Sequence, residues 1–93
     1  MILTKLFSSA QGNPLYYLNR ANAKFNLGKY QETLNDYDKV LSFDAKNNQA
    51  LFYRGVALYA LNRKNEAMES LRRSCDAGYP EACTILTQIT LAR

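Results

Sequence analysis

The sequence predicts an all-α protein in which antiparallel helix–turn–helix hairpins stack side by side. Two observations carry this prediction. The chain matches itself when it is displaced by 34 residues, and a repeat of that length is typical of stacked helical hairpins. Apolar residues also recur at intervals of three and four between short turns rich in Gly, Pro and Asn, which is the spacing of one helix face.

The displaced copies share identical residues and residues of similar size. Identical pairs include Arg20 with Arg54, Ala23 with Ala57, Leu27 with Leu61, and Glu32 with Glu66. We therefore divide a single domain, 1–93, into four parts. These are an N-terminal helix or tail (1–12), repeat 1 (13–47), repeat 2 (48–81) and a capping helix (80–92).

Turn residues delimit five helices. Asn13 and Pro14 suit a cap and a first helical position, and Gly28 suits a C-terminal cap. The predicted helices are about 14–27, 30–43, 49–61, 65–77 and 80–92. The faces predicted to be buried are Tyr30, Leu34, Tyr37, Val40 and Leu41 in the second helix, Ala67, Met68, Leu71 and Cys75 in the fourth, and Ala82, Ile85, Leu86 and Ile89 in the last. The opposite side of the last helix carries Thr84, Thr87, Gln88 and Thr90, as a terminal cap requires.

The first ten residues share the repeat register. Leu3, Leu6 and Phe7 align with Tyr37, Val40 and Leu41, the inner face of the second helix. The segment is therefore the tail of an earlier hairpin in a longer array, a short helix that packs on repeat 1, or a frayed terminus.

The repeat resembles the tetratricopeptide repeat, which has small and bulky residues at fixed positions. The second copy has Gly55 in the small slot, Leu51 and Leu58 in bulky slots, and Ala67 four residues before Leu71. The first copy has Tyr17, Ala21, Thr33 and Tyr37 at its motif positions. The resemblance covers about residues 13–81 and implies a short right-handed solenoid. Arg20 and Arg54 depart from the pattern, and we predict that Arg54 either pairs with Asp36 or lies along the surface.

The resemblance also implies a concave groove lined by the first helix of each hairpin. The groove is expected to bind a peptide or a partner helix and to give the chain a scaffold or adaptor role, with rings supplying contact area and amides supplying hydrogen bonds. The alternative is that about half of these rings belong to the core or are covered by the end helices. The predicted groove residues are Leu18, Asn22, Phe25, Asn26, Phe52, Tyr53, Val56 and Tyr59, with Ala60 beside them.

Chaperone-binding members of this family hold a C-terminal carboxylate with Lys, Asn and Arg side chains. Only Asn22 matches that set, and the other positions hold Leu18, Tyr53, Cys83 and Thr87. We therefore do not expect an acidic chaperone tail as the ligand.

The spacing of Cys75 and Cys83 is similar to that of Sel-like repeats, relatives of the tetratricopeptide repeat that bridge two cysteines across a helix–turn–helix. The resemblance implies a disulfide, and with it a periplasmic or secreted protein. The alternative is two reduced thiols, and the cytoplasm is then favoured.

The composition indicates no catalytic constellation, cofactor or metal site. The chain lacks histidine, and two cysteines supply half of a typical zinc site. No apolar run approaches a membrane span, and nothing indicates a small-molecule substrate. The net charge of +4 is scattered. Nucleic-acid binding through Arg63, Lys64, Arg72 and Arg73 is therefore a weaker alternative to a protein partner. Self-assembly through the end helices is the other alternative.

Overall fold

The computed structural model describes residues 14–91 as a row of α-helices. The helices are α1 (Pro14–Asn26), α2 (Tyr30–Phe43), α3 (Asn48–Ala60), α4 (Lys64–Asp76) and α5 (Pro80–Leu91), and this part of the chain contains no strand. Each helix packs chiefly on its neighbours in sequence, with a smaller contact between α1 and α3. The predicted all-α helical repeat solenoid is thereby confirmed. The segment 1–12, and with it the predicted N-terminal helix or tail, lies outside the described residues.

The turns after α1, α3 and α4 share one backbone feature, a residue with positive φ. Gly28 follows α1 with φ of 78°, and Asn62 follows α3 with φ of 68°, at the same position in the 34-residue register. Gly78 follows α4 with φ of 95°. Glycine reaches this left-handed region without a steric penalty, and asparagine is among the side chains that reach it best. The prediction that Gly28 caps the first helix is confirmed.

The core lies between the helices and requires a small residue where α3 meets α4. A Cβ atom on Gly55 would lie 2.7 Å from Cγ of Leu71 and 3.2 Å from the carbonyl oxygen of Ala67. Leu71 and Ala67 are themselves fully buried. Gly55 therefore lets α4 approach α3 closely, and Leu71 fills the space that the missing side chain leaves.

Small hydroxyl side chains join the two helices of each hairpin. Thr33 donates to the carbonyl of Ala21 at 3.1 Å, and Ser70 donates to that of Leu51 at 2.7 Å. Ser74 donates to the carbonyl of Asn48 at 2.7 Å. All three hydroxyl residues are fully buried. Their burial costs little free energy because each hydroxyl has a hydrogen-bond acceptor.

The buried face of α4 differs from the prediction. Ser70 and Ser74 lie on it beside Ala67 and Leu71, whereas Met68 and Cys75 are only partly buried. The prediction relied on apolar character, and it missed serines whose hydroxyls are paired across the hairpin.

Helix α5 ends the described stack with one apolar side and one polar side. Ala82 and Ile89 are buried, while Ile85 and Leu86 are partly buried. Thr84, Thr87 and Thr90 are exposed, and each donates its hydroxyl to the carbonyl four residues earlier. The polar side can therefore face solvent, as a cap requires.

Candidate functional site

Four of the predicted groove residues meet in one cavity between the two repeats. Asn22, Phe25 and Asn26 of α1 and Tyr53 of α3 line a cavity of about 160 Å³. The residues at 22, 25 and 26 share one face of α1 because they are three or four positions apart. We call this cavity the amide pocket.

A larger cavity of about 350 Å³ lies farther along the stack and includes two more predicted residues. We call it the apolar pocket, and its lining is Val56, Tyr59, Leu71, Ile85, Gln88 and Ile89. The prediction missed the α5 residues because the 34-residue period does not continue into α5. Helix α5 begins at Pro80, 32 residues after α3 begins at Asn48, and that offset places Ile85 at the position of Tyr53 and Gln88 at that of Val56.

The other two predicted residues contribute less to the surface. Leu18 is partly buried and packs on the core cluster of Ala21, Tyr37, Val40 and Ala50. Phe52 is only 8% exposed, and its ring centroid lies 4.8 Å from that of Tyr79. The prediction that Phe52 is exposed in the groove is wrong. Its position on α3 turns it toward Leu71, Ala82 and Ile89 in the core.

Tyr53 is held in place by rings on three sides. Its centroid lies 5.3 Å from Phe25, edge to face, and 5.0 Å from Phe52. The ring also stacks on Tyr37 at 6.3 Å. Tyr53 therefore forms a fixed wall of the amide pocket, whereas Tyr59 is 46% exposed and presents its ring to solvent.

A buried hydroxyl orients the Asn22 amide. The Tyr37 hydroxyl donates a hydrogen bond to Oδ1 of Asn22. Burial raises the pKa of Tyr37 above its usual range, so this hydroxyl stays protonated at neutral pH and remains a donor. With Oδ1 engaged, the Nδ2 group of Asn22 is the part of the amide that is left to donate to a ligand.

Two arginines at equivalent repeat positions form ion pairs with different carboxylates. Arg20 binds Asp36 through two bonds of 2.9 and 2.8 Å, and Lys24 Nζ lies 3.4 Å from the same carboxylate. Arg54 Nε instead donates to Asp38 at 2.7 Å. The predicted Arg54–Asp36 pair is therefore wrong. Asp36 is buried and already surrounded by two cations of α1, whereas Asp38 on the same helix is exposed and within reach of Arg54.

We expect Asp36→Asn to lower the free energy of unfolding by about 1–2 kcal/mol at pH 7, a modest cost since the Arg20 side chain is 44% exposed. The hydrogen bond from Arg20 lowers the pKa of Asp36 in the folded state below its value in the unfolded state. The ionised carboxylate therefore contributes its full amount to the free energy of unfolding above the unfolded-state pKa. That contribution is lost as the pH falls through the folded-state pKa. Urea unfolding from pH 7 to pH 2 should show the variant and the wild type converging in acid. Asp38→Asn, at a 55% exposed side chain, is the matched control and should change little. A pH-independent difference for Asp36→Asn would contradict the assignment.

Helices α4 and α5 are also joined covalently. In the structure the sulfur atoms of Cys75 and Cys83 are bonded to each other, with the two Cα atoms 4.9 Å apart. The closed loop contains Tyr79, whose ring packs on Phe52. The bond therefore ties α5, one wall of the apolar pocket, to the helix before it.

A third cavity, of about 410 Å³, contains none of the predicted groove residues. It lies between the α2–α3 connection and the C-terminal end of α4, and its lining is Ala45, Lys46, Leu51, Arg73, Asp76 and Ala77. Among the described residues, no group of three or more His, Cys, Asp or Glu side chains could hold a metal ion. None of the helices in residues 14–91 is long and apolar enough to cross a membrane.

Comparison with known proteins places the chain among helical-repeat domains. Residues 49–82 match the family model described as tetratricopeptide repeat. The chain is 38% identical over 73 residues to human zinc finger CCCH domain-containing protein 7B. The aligned residues cover 77% of this chain and 8% of that protein. It is 31% identical over 64 residues to small glutamine-rich tetratricopeptide repeat-containing protein 2 of Saccharomyces cerevisiae, over 69% of this chain and 18% of that protein. The chain thus spans less than a fifth of either relative.

A solved structure is similar over almost the whole chain. It is the first tetratricopeptide-repeat domain of Spaghetti (RPAP3) bound to the HSP90 peptide SRMEEVD, with a TM-score of 0.83 and 28% identity. The similarity covers 96% of this chain and 72% of that one.

Proposed function

Because the chain belongs to the tetratricopeptide-repeat family, we propose that it is a non-enzymatic module that binds an extended, uncharged peptide segment of a partner protein. The amide pocket and the apolar pocket together form the proposed binding surface. The observation that carries the proposal is the amide pocket, in which both repeats contribute side chains to one cavity.

The lining of the two pockets favours a ligand without charge. No Asp, Glu, Lys or Arg side chain lines either of them. Arg20 and Lys24, two cations on α1, are engaged by Asp36. A charged ligand residue would therefore lose hydration in either pocket without gaining an opposite charge, which disfavours its binding.

Each pocket suits a different part of a peptide. Asn22 can donate from Nδ2 to a peptide carbonyl, because the Tyr37 hydroxyl occupies its Oδ1. The apolar pocket has Val56, Ile85 and Ile89 in its lining, so it suits an aliphatic or aromatic side chain. A segment bound this way would be recognised by one backbone contact and one apolar anchor.

The acidic peptide seen in the related structure does not fit this surface. That structure contains the peptide SRMEEVD. In this chain Leu18, Tyr53 and Thr87 occupy three positions where the carboxylate-binding family members have polar or basic groups. Cys83, at a fourth such position, is bonded to Cys75. We therefore propose that this chain selects a different class of peptide from the related domain.

The test is selection from a displayed library of random twelve-residue peptides, followed by titration of the selected sequences. We expect the selected peptides to share an apolar anchor in a segment without charge. The double variant Asn26→Arg, Tyr59→Glu should weaken their binding at least tenfold, because it places charge in both pockets at residues that are already exposed.

Two controls make this test decisive. Glu69→Lys changes an exposed residue of α4 that lines neither pocket, and it should leave the affinity unchanged. The peptide SRMEEVD should not bind the wild type. Tight binding of SRMEEVD, or selected peptides that bind the double variant as well as the wild type, would contradict the proposed ligand class.

A further inference from the structure

The third cavity, between the α2–α3 connection and the end of α4, lies where repeat 1 has two stacked rings. Helices α1 and α3 begin 34 residues apart, and so do α2 and α4, so positions 34 residues apart are equivalent in the two hairpins. Leu51 and Ala77 of the cavity lining are therefore the equivalents of Tyr17 and Phe43. The rings of Tyr17 and Phe43 stack with their centroids 6.4 Å apart. Repeat 2 has smaller side chains at both positions, and the cavity of about 410 Å³ lies beside them.

The backbone reaches Ala77 along the same kind of path that it takes to Phe43. Phe43 is the last residue of α2. The amide of Ala77 donates to the carbonyl of Arg73 at 3.0 Å, which is the bond of a continuing α-helix. The difference between the two repeats at this place therefore lies in the side chains.

A cation lies over the ring in repeat 1, and a cation lines the cavity in repeat 2. Nζ of Lys39 lies 5.8 Å from the ring centroid of Tyr17. The equivalent of Lys39 is Arg73, which lines the cavity and donates a long bond of 3.5 Å to the carbonyl of Ala45. A guanidinium is a planar cation that stacks on aromatic faces, so Arg73 is suited to a ring placed in the cavity.

The charges of the lining favour an acidic residue beside that ring. Lys46 and Arg73 both line the cavity, and neither forms an ion pair in the part of the chain that the structure describes. Asp76 is the one carboxylate of the lining, so two cations and one carboxylate leave a single net positive charge. That charge matches one carboxylate, whereas a phosphate monoester carries about −1.5 to −2 at neutral pH and would also be repelled by Asp76.

From these observations we propose that the third cavity binds an aromatic side chain of a partner protein, from a segment in which Asp or Glu lies next to the aromatic residue. The ring takes the place that Phe43 holds in repeat 1, Arg73 lies on its face, and the acidic residue pairs with Lys46. The cavity shares no lining residue with the amide pocket or the apolar pocket. The proposal is therefore independent of the uncharged peptide proposed for those two pockets.

The test adds the peptide acetyl-GDFDG-amide to the full chain and follows the backbone amides by two-dimensional proton–nitrogen NMR. We expect saturable shifts at Lys46, Arg73 and Ala77, with a dissociation constant of about millimolar because one ring and one ion pair hold the segment. Such an affinity is too weak for a display selection to retain. The peptides acetyl-GDADG-amide and acetyl-GNFNG-amide should each bind at least about fivefold more weakly, since each lacks one of the two contacts.

Three variants show whether the ring enters the cavity. Ala77→Phe supplies the ring that Phe43 supplies in repeat 1, so it should fill the cavity and weaken binding of acetyl-GDFDG-amide at least about fivefold. Circular dichroism checks that this variant keeps the helix content of the wild type. Arg73→Gln should also weaken binding severalfold. The matched control is Arg72→Gln, which removes the same charge from an exposed residue of α4 outside the lining and should leave the affinity unchanged.

Four outcomes would overturn the proposal. Shifts that are absent or do not saturate with about 10 mM peptide would show that the cavity does not bind the segment. Equal affinity for the wild type and Ala77→Phe would mean that the ring binds elsewhere. Loss of binding in the double variant Asn26→Arg, Tyr59→Glu would place the peptide in the amide and apolar pockets instead. Tighter binding of adenosine 5′-monophosphate at the same amides would identify a nucleotide site, since a base also stacks and its phosphate also pairs with cations.

Discussion

Replacing Leu71 with alanine is expected to lower the free energy of unfolding by about 2–5 kcal/mol, the usual cost of a cavity in a well-packed core. Leu71 is fully buried and lies against Gly55, whose missing side chain makes room for it. The neighbouring backbone is already close, so the helices have little freedom to collapse into the space. Because a domain of this size is stable by about 5–10 kcal/mol, the variant should lie near its unfolding threshold. Urea unfolding followed by circular dichroism measures the change.

Leu91→Ala is the matched control for this prediction. It removes the same atoms from a side chain that is 78% exposed, so it should change stability by less than about 0.5 kcal/mol. An equal loss in the two variants would mean that the effect comes from helix propensity and not from packing between α3 and α4.

The helices could be predicted from the sequence because their ends are set by local chemistry. Gly28 and Gly78 supply positive φ at two turns, and Pro80 stands at the first position of α5. The predicted bounds agree with the structure within about two residues in each described helix, and α2 agrees at both ends. Such signals act over a few residues, so a single sequence contains them.

The ion pairs could not be predicted because they depend on neighbours that differ between repeats. Arg20 and Arg54 occupy the same register position, yet they bind Asp36 and Asp38 respectively. Asp36 belongs to the same hairpin as Arg20, and Lys24 of that hairpin places a second positive charge beside the Asp36 carboxylate. In the second repeat the position equivalent to Lys24 is Leu58, so the local charges there are different.

The candidate site could be predicted in part, because some of its residues follow the repeat period and others do not. The spacing on α1 and α3 identified Asn22, Phe25, Asn26 and Tyr53, which meet in one pocket. The burial of Phe52 depends on α5, whose offset breaks the repeat period. The repeat period cannot predict the contacts that α5 makes, because α5 does not follow that period.

Removing the cysteine pair with Cys75→Ala and Cys83→Ala is expected to lower the free energy of unfolding by about 2–3 kcal/mol in oxidising buffer. The bond joins residues eight positions apart, and it restricts the unfolded chain more than the folded one. Urea unfolding should show the same loss when the wild type is treated with dithiothreitol. The double alanine variant is the control, since the reductant should not change its stability.

The same bond has a second expected effect, on the apolar pocket. Ile85, Gln88 and Ile89 of α5 line that pocket, and the bond fixes the start of α5 against α4. Reduction should therefore weaken binding of a selected peptide anchored in the apolar pocket, and the effect should be absent in the double alanine variant. A thiol assay that finds two free cysteines in protein prepared without reductant would contradict the bond itself. Full peptide affinity after reduction, with a measured loss of stability, would instead show that the bond supports the fold while other contacts hold α5 in place.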